Sequence, residues 1–403
     1  MTGKPQVVHA SDIHGVSRLA IDAVLGLTRL VETMHHNVSR APGVLGAPTR
    51  EPMKGIAGLV YRSIRGVARL VGGGIDAILT QLVPLLEQEP SSATREAILS
   101  ALNGVLGDHL TVSANPLAIA MSLRRDGKAI ELTATSLAAA IPRARGRILL
   151  LVHGLCLGDL QWRRKDHDHG AALEADAGFT ALYLRYNTGL HVSANGRVLA
   201  EQLEALLHSW PVPVEELAIV GHSMGGLVAR SARYYGTLAG HAWPRSVRRM
   251  VFLGTPHHGA PLERGGNWVN VALDASPYTA AFARLGKIRS AGITDLRYGN
   301  LLDEDWRNRD RFARSPDERV IVPLPDGVAC LAIAATLSKK PGDLSGRILG
   351  DGLVPVASAL GRHVDPARDL GLPEPNTWIG FGIGHLDLLD RKDAYQRIRR
   401  WLS

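Results

Sequence analysis

The feature that most restricts the fold is an unbroken aliphatic run, Ile148-Leu149-Leu150-Leu151-Val152, that follows the basic connector Pro142-Arg143-Ala144-Arg145-Gly146. A strand this apolar has no polar face to turn toward water. Both faces must be covered, as in a parallel sheet flanked by helices. Further strands are expected at Ala181–Tyr186, Leu217–Val220, Met250–Leu253, Cys330–Ala335 and Thr377–Phe381, and helices at Asn195–His208, Met224–Tyr235 and Lys392–Leu402. Strands and helices that alternate in this way predict an α/β architecture with a mostly parallel central sheet. Ahead of it, Leu117–Leu123 and Ala129–Leu132 flank Asp126-Gly127, a pattern that predicts two short strands joined by a hairpin turn.

Residues 1–112 have a different texture. Ile13, Val16, Leu19, Ala23, Leu27, Leu30 and Met34 recur at helical spacing, and Ile56, Leu59, Val60, Ile64, Val67 and Val71 form a second stripe. Gly72-Gly73-Gly74 ends that stripe, a third runs from Ile75 to Leu82, and a fourth helix is expected after Pro90, capped by Ser91 or Ser92. The chain therefore divides into an N-terminal helical region, 1–112, and an α/β region, 113–403.

Within the second region Val220-Gly221-His222-Ser223-Met224-Gly225-Gly226 contains G-x-S-x-G, preceded by an apolar strand and followed by a helical pattern. A serine on so sharp a turn needs small neighbours, and Gly221 and Gly225 supply them. Acyl transfer also requires a base, an acid and an oxyanion hole. His385, in Gly382-Ile383-Gly384-His385, follows the last strand and is the candidate base; Asp351, in Gly350-Asp351-Gly352-Leu353-Val354-Pro355, is the candidate acid. His363 is the rival base, and Asp343 and Asp365 are the rival acids. The oxyanion donors are expected to be the N–H groups of Met224 and Leu155, with Cys156 as the alternative to Leu155.

Together these residues resemble the α/β-hydrolase family, and in particular bacterial lipases and esterases. The resemblance rests on Val152-His153-Gly154-Leu155, Gly221–Gly226, Phe252-Leu253-Gly254-Thr255-Pro256-His257-His258-Gly259 and Asp351–Pro355, in the family's order. It implies an α/β-hydrolase fold and a serine esterase or lipase working through an acyl-enzyme, with no cofactor and no metal. An acyltransferase with the same triad is the alternative, and a catalytically silent interaction module is a second. The stretch from about 259 to 328 reads as a helical cap insertion, and His222, Trp268 and Phe282 are the candidate substrate contacts. Residues 10–105 are expected to pack on the hydrolase body near the mouth of the site, with homo-oligomerisation through these helices as the other use of their apolar stripes.

Composition narrows the partners. Lys+Arg 46 against Asp+Glu 38 leaves a net charge of +8, but the arginines are scattered and accompany no nucleic-acid module. A solvated basic surface is expected, and no nucleic acid. Two cysteines, Cys156 and Cys330, do not make a disulfide framework, and Cys156 reads as a small apolar filler. His167-Asp168-His169 reads as a solvated polar loop, and Asp387, with no second ligand identifiable, does not read as a calcium site. With neither a secretory signal nor a transmembrane run in view, the expected setting is cytoplasmic and the expected substrate a small-molecule or lipid-like ester.

Overall fold

The computed structural model describes residues 93–112, 114–260, 290–310, 316–339 and 350–403. Three of the four N-terminal stripes, the segment holding Trp268 and Phe282, and Asp343 lie outside the described residues. In chain order the elements are α1 (Ala93–Val112), β1 (Ser122–Arg125), β2 (Lys128–Ala129), α2 (Ala134–Ala140), β3 (Arg147–Val152), β4 (Arg163–Arg164), β5 (His167–Asp168), α3 (His169–Ala177), β6 (Thr180–Arg185), α4 (Val192–His208), β7 (Glu216–His222), α5 (Met224–Leu238), β8 (Val247–Leu253), α6 (Ala291–Asp295), β9 (Ala329–Thr336), α7 (Val356–Ala359), β10 (Thr377–Phe381) and α8 (Lys392–Leu402).

Eight strands form one sheet in the order β10-β9-β8-β7-β3-β6-β1-β2, and β4 and β5 pair separately. From β10 to β6 every pairing is parallel, while β1 runs antiparallel to β6 and to β2. The aliphatic run lies in β3, inside this parallel block between β7 and β6, and all of Ile148–Val152 are fully buried. Its residues alternate between the faces, as a pleated strand requires. Ile148, Leu150 and Val152 join a core with Leu199 and Leu203 of α4 and Leu227 and Val228 of α5. Leu149 and Leu151 join the opposite one with Leu173 of α3 and Ile398 and Leu402 of α8.

The hairpin forms at the expected turn, where Asp126 and Gly127 both take positive φ, 51° and 72°. Its first strand is shorter than the sequence predicts. Residues 117–121 lie outside it because a side chain takes over their backbone bonding: Asn103 of α1 donates to Leu117 O at 2.8 Å and accepts from Ile119 N at 2.9 Å. With those groups satisfied, no strand partner is needed.

Helix α1 closes over the same region. Leu99, Leu102 and Leu110 belong to the core that holds Ile148 and Leu150. Its Glu96 accepts from Arg185 at 2.8 Å, and Gly107 O accepts from Asn187 at 3.0 Å. The last turns of the N-terminal helical region thus complete the core of the sheet.

Candidate active site

β7 delivers the chain to Ser223 and α5 leaves from Met224. Ser223 has φ 53° and ψ −126°, a conformation that ordinarily costs an L-residue about 1–3 kcal/mol. Its amide donates to Leu253 O at 2.8 Å, and its carbonyl accepts from Gly226 N at 3.1 Å. Close approach explains the glycines around it. A Cβ on Gly221 would lie 2.5 Å from Gly226 Cα, and one on Gly225 would lie 2.1 Å from Val152 O. The turn therefore tolerates no side chain at either place.

Asp351 and His385 meet across 34 residues of sequence. His385 Nδ1–H donates to Asp351 Oδ2 at 2.6 Å, and both side chains are almost wholly buried. The other carboxylate oxygen accepts from Leu353 N at 3.0 Å and Val354 N at 2.8 Å, and the backbone pairs as well, His385 N to Asp351 O at 3.2 Å. A carboxylate that only accepts fixes the imidazole tautomer, with the hydrogen on Nδ1 and the lone pair on Nε2.

Two contacts bring this pair to the serine turn. Gly254 follows the residue that anchors the Ser223 amide, and a Cβ there would sit 3.0 Å from His385 Cε1. His222 Nε2–H donates to His385 O at 3.2 Å, with the two rings 4.8 Å apart. His222 is buried, and that burial holds its imidazole well below the usual histidine range. Sequence reasoning offered it as a substrate contact; in the structure its Nε2 is spent on the backbone of the candidate base.

The loop after β3 comes close on the other side: a Cβ on Gly154 would be 2.9 Å from Ser223 Cβ. His153 Nδ1–H donates to Gly154 O at 3.0 Å, its ring stacks on Tyr186 at 4.4 Å, and burial lowers its pKa to about 3. Cys156 adopts φ 60°, and its amide donates to Thr188 Oγ1 at 3.1 Å. Burial pushes the Cys156 thiol up to about 12, in keeping with an inert filler. Helix α1 and α6 stand behind this loop, since Gly104 lies against Cys156 while its carbonyl accepts from Ser290 Oγ at 2.6 Å. Thr188 had no signature in the sequence beyond following a strand, and Tyr186 none beyond ending one.

Other sequence candidates lie elsewhere. His363 packs on His258 at 4.9 Å and Asp365 is exposed, so neither joins the Asp351–His385 pair. His257 contacts Arg230 rather than Ser223. Asp387 accepts from Gly384 N and from Lys165 Nζ. The H-x-H pair is not the solvated loop the sequence suggested: His169 is fully buried, accepts from His167 at 2.7 Å and donates to Leu388 O at 2.9 Å. Packing of α3 against α8 draws it inward, and burial lowers its pKa to about 4. Among the described residues no group of three or more His, Cys, Asp and Glu side chains is arranged to hold a metal ion, and no helix is long and apolar enough to cross a membrane.

Residues 143–322 match the family described as PGAP1-like alpha/beta domain, a span that runs from before β3 to just short of β9 and includes the serine turn. A strained serine joins a central parallel strand to the helix behind it, in a sheet of this order. The chain has an α/β-hydrolase fold. Solved structures are similar to parts of this chain. The mature lipase BlEst2 of Bacillus licheniformis is 19% identical over 64% of this chain and 92% of its own, with a TM-score of 0.42. A lipase-esterase related protein of Clostridium acetobutylicum is 15% identical over 64% and 95%, TM-score 0.35. An esterase of Pyrobaculum calidifontis is 12% identical over 64% and 75%, TM-score 0.39. No curated protein sequence matches the chain.

Proposed function

We propose that this α/β-hydrolase is a serine carboxylic-ester hydrolase that works through an acyl-enzyme. The observation that carries the reading is the buried 2.6 Å contact between His385 Nδ1 and Asp351 Oδ2 beside a serine held at φ 53°. In this reading Ser223 Oγ attacks the ester carbonyl carbon and gives its proton to His385 Nε2. Asp351 keeps the imidazole in the tautomer that accepts this proton and stabilises the imidazolium that results. The carbonyl oxygen, now an oxyanion, is held by the N–H groups of Met224 and Leu155. Cys156, the alternative donor, already has its amide committed to Thr188, which favours Leu155. His385 then protonates the leaving alcohol. Water enters, is deprotonated by the same nitrogen and releases the acid.

Hydrolysis of p-nitrophenyl esters tests the assignment. Ser223→Ala is expected to lower kcat by a factor on the order of 10⁴–10⁶, and Asp351→Asn by about 10⁴. A fluorophosphonate probe is expected to label Ser223 and no other residue. Near wild-type turnover by Ser223→Ala would overturn the reading.

A further inference from the structure

The His167-Asp168-His169 motif has no part in the proposed chemistry, yet it lies against the turn that carries the candidate base. That turn, His385–Leu389, is one short helical turn. Five residues of helix have little stability of their own, so the orientation of the turn depends on what grips it. His222 holds the first carbonyl, His385 O. Three more side chains reach the turn and its flank from residues 164–169. Arg164 Nε donates to Asp390 Oδ2 at 2.9 Å. Lys165 Nζ donates to Asp387 Oδ1 at 3.3 Å, and the other oxygen of Asp387 accepts from Gly384 N at 3.1 Å. His169 Nε2 reaches Leu388 O at 2.9 Å, three residues past the base.

The segment that supplies these groups is itself held in shape. β4 and β5 are joined by Lys165 and Asp166 alone, at φ 45° and 62°. Asp168 then caps α3, its Oδ1 accepting from Gly170 N at 2.8 Å, Ala171 N at 3.1 Å and the Tyr183 hydroxyl at 2.7 Å. His169 is fully buried, with the rings of Trp162 and Tyr395 at 6.3 and 5.8 Å from its own.

The hydrogens in the motif follow from one acceptor. A carbonyl oxygen can only accept, so His169 Nε2 carries the hydrogen that Leu388 O receives. Burial keeps the ring neutral, which leaves the lone pair on Nδ1. His167 Nε2, at 2.7 Å, therefore donates to it. In the other tautomer a lone pair of His169 would face Leu388 O, and a hydrogen would face His167. The His167 hydrogen thus selects the form of His169 that grips the base turn, as Asp351 selects the form of His385.

We propose that His167 and His169 are positioning residues for the candidate base: His169 holds the base turn at Leu388 O, and His167 fixes the tautomer that does so. The inference rests on the serine-hydrolase reading. Neither ring touches a reacting atom in that chemistry, and the pair acts on His385 through three residues of backbone.

The test is a double-mutant cycle in the full-length protein. It is read by p-nitrophenyl ester kinetics and by the downfield proton resonance of the His385 Nδ1–H that bridges to Asp351, which Asp351→Asn assigns. His169→Phe is expected to lower kcat about tenfold to a hundredfold with KM nearly unchanged, and to shift or broaden the resonance. His169→Gln is expected to keep kcat within about threefold of wild type, because an amide donates and accepts with no tautomer to choose. His167→Phe alone is expected to lower kcat about threefold to tenfold, but less than about twofold in a chain that also carries His169→Gln. If His169→Phe does not fold, the His167 cycle decides. Equal losses from His167→Phe in both backgrounds would show packing rather than tautomer choice and overturn the proposal. A folded His169→Phe with wild-type kcat and an unmoved resonance would overturn it too. Activity that survives Ser223→Ala would instead overturn the hydrolase reading, and the resonance would still report whether the pair holds His385.

Discussion

His222 Nε2 lies 3.2 Å from the carbonyl oxygen of His385, so the residue just before the candidate nucleophile holds the backbone of the candidate base. The bond ties the end of β7 to the turn after β10, two elements separated in the sheet by β8 and β9. His222 touches no reacting atom in the proposed chemistry and acts through His385 as a positioning residue. His222→Phe keeps the bulk and removes the donor. It is expected to lower kcat for a p-nitrophenyl ester by about tenfold to a hundredfold, in line with small displacements of a catalytic group, and to leave KM nearly unchanged. His222→Gln, which retains a donor, is expected to recover part of the loss. Equal rises in KM for both variants would assign His222 to substrate binding instead.

Thr188 does for the loop after β3 what His222 does for the candidate base. Its hydroxyl accepts the Cys156 amide while Cys156 sits at φ 60°. Thr188→Val preserves the shape and leaves that buried N–H unsatisfied, at a cost of about 1–3 kcal/mol. The expected outcome is a lower Tm together with a fall in kcat, and Thr188→Ser is expected to retain both. A Val variant with normal kcat and normal melting would show that the loop holds its shape without this contact.

Helix α1 sets where the N-terminal region can be cut. Removing residues 1–92 leaves α1 whole, whereas removing 1–105 deletes Leu99, Leu102 and Asn103 and strips the partner of the 117–119 backbone. The longer deletion is expected to give insoluble or molten protein, and the shorter one a Tm clearly above it. Circular dichroism melts of the two truncations decide the matter; identical melting would mean that α1 does not support the core.

Acid should destabilise the protein earlier than its carboxylates would suggest. Burial lowers the pKa of His153 to about 3 and of His169 and His258 to about 4. These histidines are neutral when folded, and in the unfolded chain they titrate near the usual 6.5. Below pH 6.5 the unfolded state therefore binds more protons than the native state, and stability falls as pH drops toward about 4. Tm measured from pH 7.5 to 4.5 is expected to decline from about pH 6.5 downward. His169→Gln is expected to flatten part of that decline. A level profile over the same range would contradict the assignment of neutral buried histidines.

Much of this molecule was legible before any coordinates. Five consecutive aliphatic residues admit few places in a fold, and the centre of a covered parallel sheet is where Ile148–Val152 lie. Ser223, Asp351 and His385 were legible as candidates because each stands in a turn or loop after a strand, in the order a known family uses. The glycines at 221 and 225 were readable because that turn leaves room for hydrogen alone. Local chemistry determined these features, and local chemistry is what a sequence displays.

The rest depended on which distant segments share a volume. That Asn103 would silence a strand at 117–121, that Thr188 would hold Cys156, that His222 would face His385 O, and that His169 would be buried all depend on contacts between separate elements of the chain. No spacing rule announces them, because a polar side chain reads the same in sequence whether water or a distant backbone group is its partner. Arg230 makes the point most plainly. In sequence it is one of many arginines in a basic chain; only tertiary packing buries it and sets its nitrogens on His257 Nδ1 and Val322 O.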